Sequence, residues 1–183
     1  MLVTPLLPLY LSETFAADKH TIGIVLSGYT LTALLIRPFS GFIVDGFDRK
    51  KVLVCCMLLF FLFFAGYLLT ASLLIFAIVR ALHGAPFGAV TVANSTLAID
   101  VLHPSRRSEG IGFYGLSNNV ATAISPSVAL RIYGTTHNYQ LIFILSLLFA
   151  GVGLAISASL KTTKKEPIKD TKKISLDRFF LLK

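Results

Sequence analysis

The stretch GFIVDGFDRKK at 41–51 sets two acids, Asp45 and Asp48, against three bases, Arg49, Lys50 and Lys51, between two long apolar runs. A charged hairpin this short makes the two flanking runs neighbours, with both of its ends on one face of the membrane, and its three bases place that face in the cytoplasm. A second set of polar groups lies inside apolar runs: Arg80, His83, Asn94, Asn118 and Asn119. Arg80 falls about 10 Å into its run, too deep to reach the interface easily. A charge at that depth costs from about 2.5 kcal/mol upward, so it faces either a partner or a watery cavity. The same group held by backbone carbonyls would instead lock helices together. His83 is either a titrating cavity group or a plain hydrogen-bonding one, and the amides either line a cavity or join helices. No metal-ligand spacing, phosphate-cradling loop or nucleophile beside a base appears, so neither an enzyme nor a cofactor is expected. Cys55 and Cys56 are adjacent in an apolar run, where packing outweighs metal binding or a disulfide.

The elements that must position these groups are membrane helices. Hydrophobic residues make up 55% of the 183 and charged residues 14%, with a mean hydropathy of +0.76, whereas soluble domains carry about 25% charged residues. Helices are predicted over 21–44, 52–71, 73–99, 110–133 and 140–160, and a span takes about 20 residues. The run 1–12 reaches only about 18 Å as a helix, so it reads as the second half of a first span whose beginning is absent, or as a short interfacial segment. Most of the 17 Lys and Arg fall after the second, fourth and sixth helices, which places those ends in the cytoplasm. The net charge of +8 is thus a topology signal and implies lipid rather than nucleic acid as the partner.

Spacing also assigns faces. Arg37, Gly41 and Asp45 recur every fourth residue, as do Arg80, Gly84 and Gly88, and Ala121, Ser125 and Ala129. Arg37 lies close enough to its helix end to snorkel. Small residues at Gly84, Gly88, Ser125 and Ala129 offer close helix packing, and Pro126 bends its helix. The third helix shows no polar stripe and reads as a lipid-facing scaffold, its Phe60, Phe61, Phe63 and Phe64 needing no ligand.

The hairpin at 41–51 resembles the signature between the second and third helices of the major facilitator superfamily through Gly41, Asp45, Arg49 and Lys50. Gly46 and Asp48 depart from it. Arg80 followed by Gly84 resembles the family's motif in the fourth helix. The run RRSEGIGFYGL at 106–116 looks like the drug and arabinose efflux branch, with Ser125-Pro126 and Ala129 in place of a Gly-Pro step and a further Gly. The resemblance implies an all-α, polytopic membrane helical bundle, the N-terminal half of a major facilitator fold. It implies six helices over 1–160, the first incomplete, and a basic cytoplasmic linker over 161–183 leading to a C-terminal six-helix half not present here. It further implies an efflux-type antiporter of small organic solutes coupled to protons or another ion, set in the plasma (inner) membrane. Gly41, Asp45, Arg49, Lys50 and Asp100 would form a gate, with Asp100 pairing Arg49, and Arg80, His83, Asn94, Asn118 and Asn119 would lie near the cavity. The alternative is a truncated, non-transporting membrane module, or a half that needs a partner subunit.

Overall fold

Apolar runs bounded by capping residues dictate the elements. The computed structural model describes residues 2–160 as helices joined by short turns. A 3-10 turn at Thr4–Leu6 leads into α1 (Leu7–Phe15), followed by α2 (Lys19–Gly46), α3 (Arg49–Tyr67), α4 (Leu73–Val101), α5 (Arg107–Thr136) and α6 (Tyr139–Ser159). Among the described residues, α2, α3, α4 and α6 are long and apolar enough to cross a membrane. The chain is an integral, multi-pass membrane protein, an all-α bundle in which each helix satisfies its own backbone. α5 has the length, at 30 residues, but Ser117, Asn118, Asn119, Thr122 and Ser125 dilute its apolar character. The basic segment predicted over 161–183 lies outside the described residues.

Capping sets the boundaries. Asp18 accepts from the backbone N–H of His20 and starts α2 at Lys19 rather than at 21. Asp48 accepts from the N–H groups of Lys50 and Lys51 and starts α3 at Arg49, three residues before the position expected. Asp48, one of the two residues that depart from the signature the hairpin resembles, is therefore the cap that turns it. α3 also ends early, at Tyr67, where Leu68 and Leu69 bond back to Ala65 and Gly66 and Thr70 bonds back to the Tyr67 carbonyl.

Two apolar clusters hold the bundle. One gathers Leu6, Leu7 and Leu11 with Phe64, Tyr67 and Phe76, and with Ala129, Ile142 and Phe143 from α5 and α6. The other, at the end of the bundle that carries the α2–α3 hairpin, joins Val44, Leu53, Val90, Ala93 and Leu97, and draws on α2, α3 and α4 alone. The tightest packing is α4 on α2. A Cβ on Gly84 would fall 2.1 Å from the Tyr29 carbonyl oxygen and from Thr32 Oγ1, and one on Gly88 would fall 2.5 Å from the Ala33 carbonyl oxygen. Lipid tails are as apolar as leucine, so close backbone approach of this kind supplies much of the association of membrane helices. Thr32 Oγ1 adds a hydrogen bond to the Ala81 carbonyl across the same seam.

Candidate functional site

Two groups of polar side chains stand out. The first closes the hairpin end. Arg49, the first residue of α3, reaches back to Asp45 on α2, with Nη2 2.9 Å from Oδ1, and gives Nη1 to Oδ2 of Asp100 in the last turn of α4. One guanidinium thus ties three helix ends, and its fork geometry suits two carboxylates at once. Asp100 is the more buried partner, with a side chain 16% exposed against 58% for Asp45. Lys50 makes no ion pair among the described residues; its backbone N–H goes to Asp48. Gly41 stands one turn further into α2, and a Cβ there would meet nothing within 4 Å. Arg37, two turns from Asp45, is exposed. This face of α2 is open among the described residues.

The second group is buried. Arg80 on α4 is 5% exposed, with its guanidinium carbon 3.9 Å from the centre of the Tyr29 ring on α2. Its Nη1 donates to Tyr67 Oη on α3 at 3.3 Å, and that oxygen lies 2.8 Å from His83 Nδ1. Since Tyr67 accepts from Arg80, its own proton is available for Nδ1, which leaves Nε2 to carry the imidazole proton. Arg80 Nε and His83 Nε2 are buried without a hydrogen-bond partner among the described residues. The described acids are Glu13, Asp18, Asp45, Asp48, Asp100 and Glu109, all at helix ends or in loops, and none forms an ion pair with Arg80. An aromatic face and a neutral hydroxyl hold this cation in place of a carboxylate.

His83 is packed shut. It is 1% exposed, with the rings of Phe60, Phe64 and Phe63 centred 4.6, 4.8 and 5.7 Å from its own. The expectation of a lipid-facing third helix is corrected here: one side of the α3 phenylalanine run encloses a histidine of α4. Asn94 is half-buried on α4, whereas Asn118 and Asn119 are exposed on α5. Of the expected packing residues, Gly84 and Gly88 meet α2, Ala129 is fully buried, and Ser125 and Pro126 are half-buried.

Four contacts escape a reading of the sequence. Tyr29 and Tyr67 reach Arg80 from other helices, and the only hint is a tyrosine in an otherwise apolar run. At the opposite end of the bundle, Glu13 Oε2 accepts from Tyr133 Oη at 2.6 Å and Tyr139 Oη at 2.7 Å, tying the end of α1 to the α5–α6 turn. These hydrogen bonds, Tyr133 first and then Tyr139, hold the Glu13 carboxyl below its usual range.

Comparison with known proteins agrees with this architecture. A family model described as Major Facilitator Superfamily matches residues 1–182. The chain is 22% identical over 157 residues to the uncharacterized MFS-type transporter YqjV of Bacillus subtilis, a match covering 86% of this chain and 38% of that protein. It is 29% identical over 123 residues to the staphylopine export protein of Staphylococcus aureus, covering 66% of this chain and 30% of that one. The chain therefore matches well under half the length of these curated relatives.

Proposed function

The chain belongs to the major facilitator superfamily, and on that premise we propose that it is the N-terminal six-helix half of a secondary active transporter. In this reading a C-terminal half completes the cavity, residues 161–183 form the cytoplasmic linker to it, and the two halves rock about a solute held near the bilayer midplane. Its site is the plasma (inner) membrane, with the α2–α3 and α4–α5 loops in the cytoplasm.

The observation that carries this reading is Arg80, a cation sealed inside an apolar bundle without an acidic partner among the described residues. A group so costly to keep at that depth marks a solute or ion pathway by default. Asn94, Asn118 and Asn119 add hydrogen-bonding capacity along α4 and α5. The open face at Gly41 gives a helix of the other half room to approach, and Asp45, Arg49, Lys50 and Asp100 sit where that approach would be latched. The proposed cargo is a small organic solute, moved outward in exchange for protons or another ion, as in the drug and arabinose efflux branch; a relative that is an export protein favours this direction.

The test is reconstitution of the complete protein in proteoliposomes under an imposed pH gradient. A dye reports luminal pH while small organic solutes, neutral, cationic and anionic, are added in turn. Solute-dependent proton movement is expected. Absence of solute-dependent movement under either polarity, and under a sodium gradient, would contradict the reading.

A further inference from the structure

The polar cluster buried between α2, α3 and α4 is rich in donors and poor in acceptors. Arg80 carries five N–H groups, yet among the described residues it makes a single hydrogen bond, from Nη1 to Tyr67 Oη at 3.3 Å. A charge-assisted bond from a guanidinium to an oxyanion runs to about 2.7–2.9 Å, so this contact is long and its acceptor neutral. Arg80 Nε is buried without a partner. Tyr67 gives its own proton to His83 Nδ1 at 2.8 Å, which leaves the N–H at His83 Nε2 as a second buried donor without a partner among the described residues. The Tyr29 ring takes one face of the guanidinium, 3.9 Å from its central carbon, and offers the N–H groups no lone pair.

What completes such a cluster is an acceptor that carries negative charge. Nε and Nη2 form the side of the guanidinium fork that two oxygens of one planar group meet at once. The charge of that group is limited too, because Arg80 is the one Lys or Arg buried among the described residues. A carboxylate neutralises it. A phosphate monoester, at about −1.5 to −2 near pH 7, would leave net charge inside an apolar bundle, which is costly. We propose that the Nε–Nη2 edge of Arg80 is the docking point for a carboxylate, which narrows the proposed cargo to small organic acids. Tyr67 keeps its place on Nη1 and on His83, so the ligand adds bonds without breaking any. The inference rests on the transport reading, since Arg80 is sealed in this structure and meets a solute only when the halves rock apart.

The test reads binding to the complete protein, purified in detergent, through its unfolding midpoint. The probes are acetate, benzoate and indole-3-acetate, each paired with its neutral amide, and phenyl phosphate. The midpoint is expected to rise with the concentration of at least one carboxylate and to ignore its amide and phenyl phosphate. In Arg80→Lys the concentration required should rise at least about tenfold, because lysine keeps the charge and loses the fork. If that variant does not fold, Tyr67→Phe decides instead. It leaves Arg80 its charge and its free edge, so the carboxylate should bind at least as tightly as in wild type. Equal response to acid and amide, no response to any of the three acids, or a stronger response to phenyl phosphate overturns the proposal. So does undiminished binding in Arg80→Lys or, where it decides, weakened binding in Tyr67→Phe. An acidic side chain elsewhere in the polypeptide that already fills the edge would show as no response to the acids. Transport is scored separately in proteoliposomes. Proton movement driven by neutral or cationic solutes, without carboxylate binding, keeps the transport reading and overturns this one; carboxylate binding at Arg80 without any solute-dependent proton movement does the reverse.

Discussion

The guanidinium of Arg80 is stacked on the ring of Tyr29, its central carbon 3.9 Å from the ring centroid. Only the face of the ring is used, while Tyr67 contributes its hydroxyl to both Arg80 and His83. The two tyrosines should therefore respond differently to the same substitution. Tyr29→Phe keeps the face and should leave the thermal midpoint in detergent nearly unchanged. Tyr67→Phe leaves two buried groups unpaired and should cost about 1–3 kcal/mol. Equal effects would mean that the hydroxyl of Tyr67 is not the shared partner.

The glycines separate packing within this half from packing beyond it. Gly84→Ala sets a methyl group against the Tyr29 carbonyl and should destabilise the chain by about 1–3 kcal/mol. Gly41→Ala meets nothing within 4 Å and should leave the midpoint of the 183-residue chain unchanged while, under the proposed function, lowering flux through the complete protein. Unimpaired flux in Gly41→Leu, a bulkier probe, would remove Gly41 from the gate.

Arg49 offers a test by charge exchange. Asp100→Asn should impair the protein more than Asp45→Asn, because Asp100 is the less exposed carboxylate. Each loss should lie near the upper end of the 0–1 kcal/mol range measured for surface pairs. The exchange Arg49→Asp with Asp100→Arg should recover flux lost in both single variants. Two independent, additive defects would show that the pair does not act as a unit.

Glu13 predicts a pH dependence. Its folded-state pKa lies below the ordinary value of 4.5 because Tyr133 and Tyr139 bond its charged form. That contribution to stability is present above the ordinary value and is lost as pH falls through the lowered one. Wild type should exceed Glu13→Gln in thermal midpoint at pH 7, and the gap should close on acidification below 4.5. A constant gap would mean that the ionised carboxylate is not what holds the tyrosines.

Much of this was legible in the sequence, and the limits have physical causes. Apolar run lengths and the charged hairpin place each helix to within a few residues, since bilayer thickness and loop charge act locally along the chain. The depth of Arg80 and the fourfold spacing of Gly84 and Gly88 follow from helix geometry. Side-chain partners do not: Tyr29 and Tyr67 meet Arg80 only once three helices are assembled. A phenylalanine run without a stripe reads as lipid-facing, although Phe60, Phe63 and Phe64 surround His83. Along Ala121, Ser125 and Ala129 an even seam is expected, and only Ala129 is fully buried, because the neighbour of α5 changes along its length.

The measurement closest to the central claim is gradient-driven solute flux through the complete protein carrying Arg80→Ala, compared with wild type at matched expression and after a check that the variant is folded. The expected result is a loss of flux of at least about tenfold, which corresponds to about 1.4 kcal/mol or more of lost stabilisation along the transport cycle. Wild-type flux in the folded variant would contradict a transport role for Arg80 and leave it as a device that locks α2, α3 and α4 together.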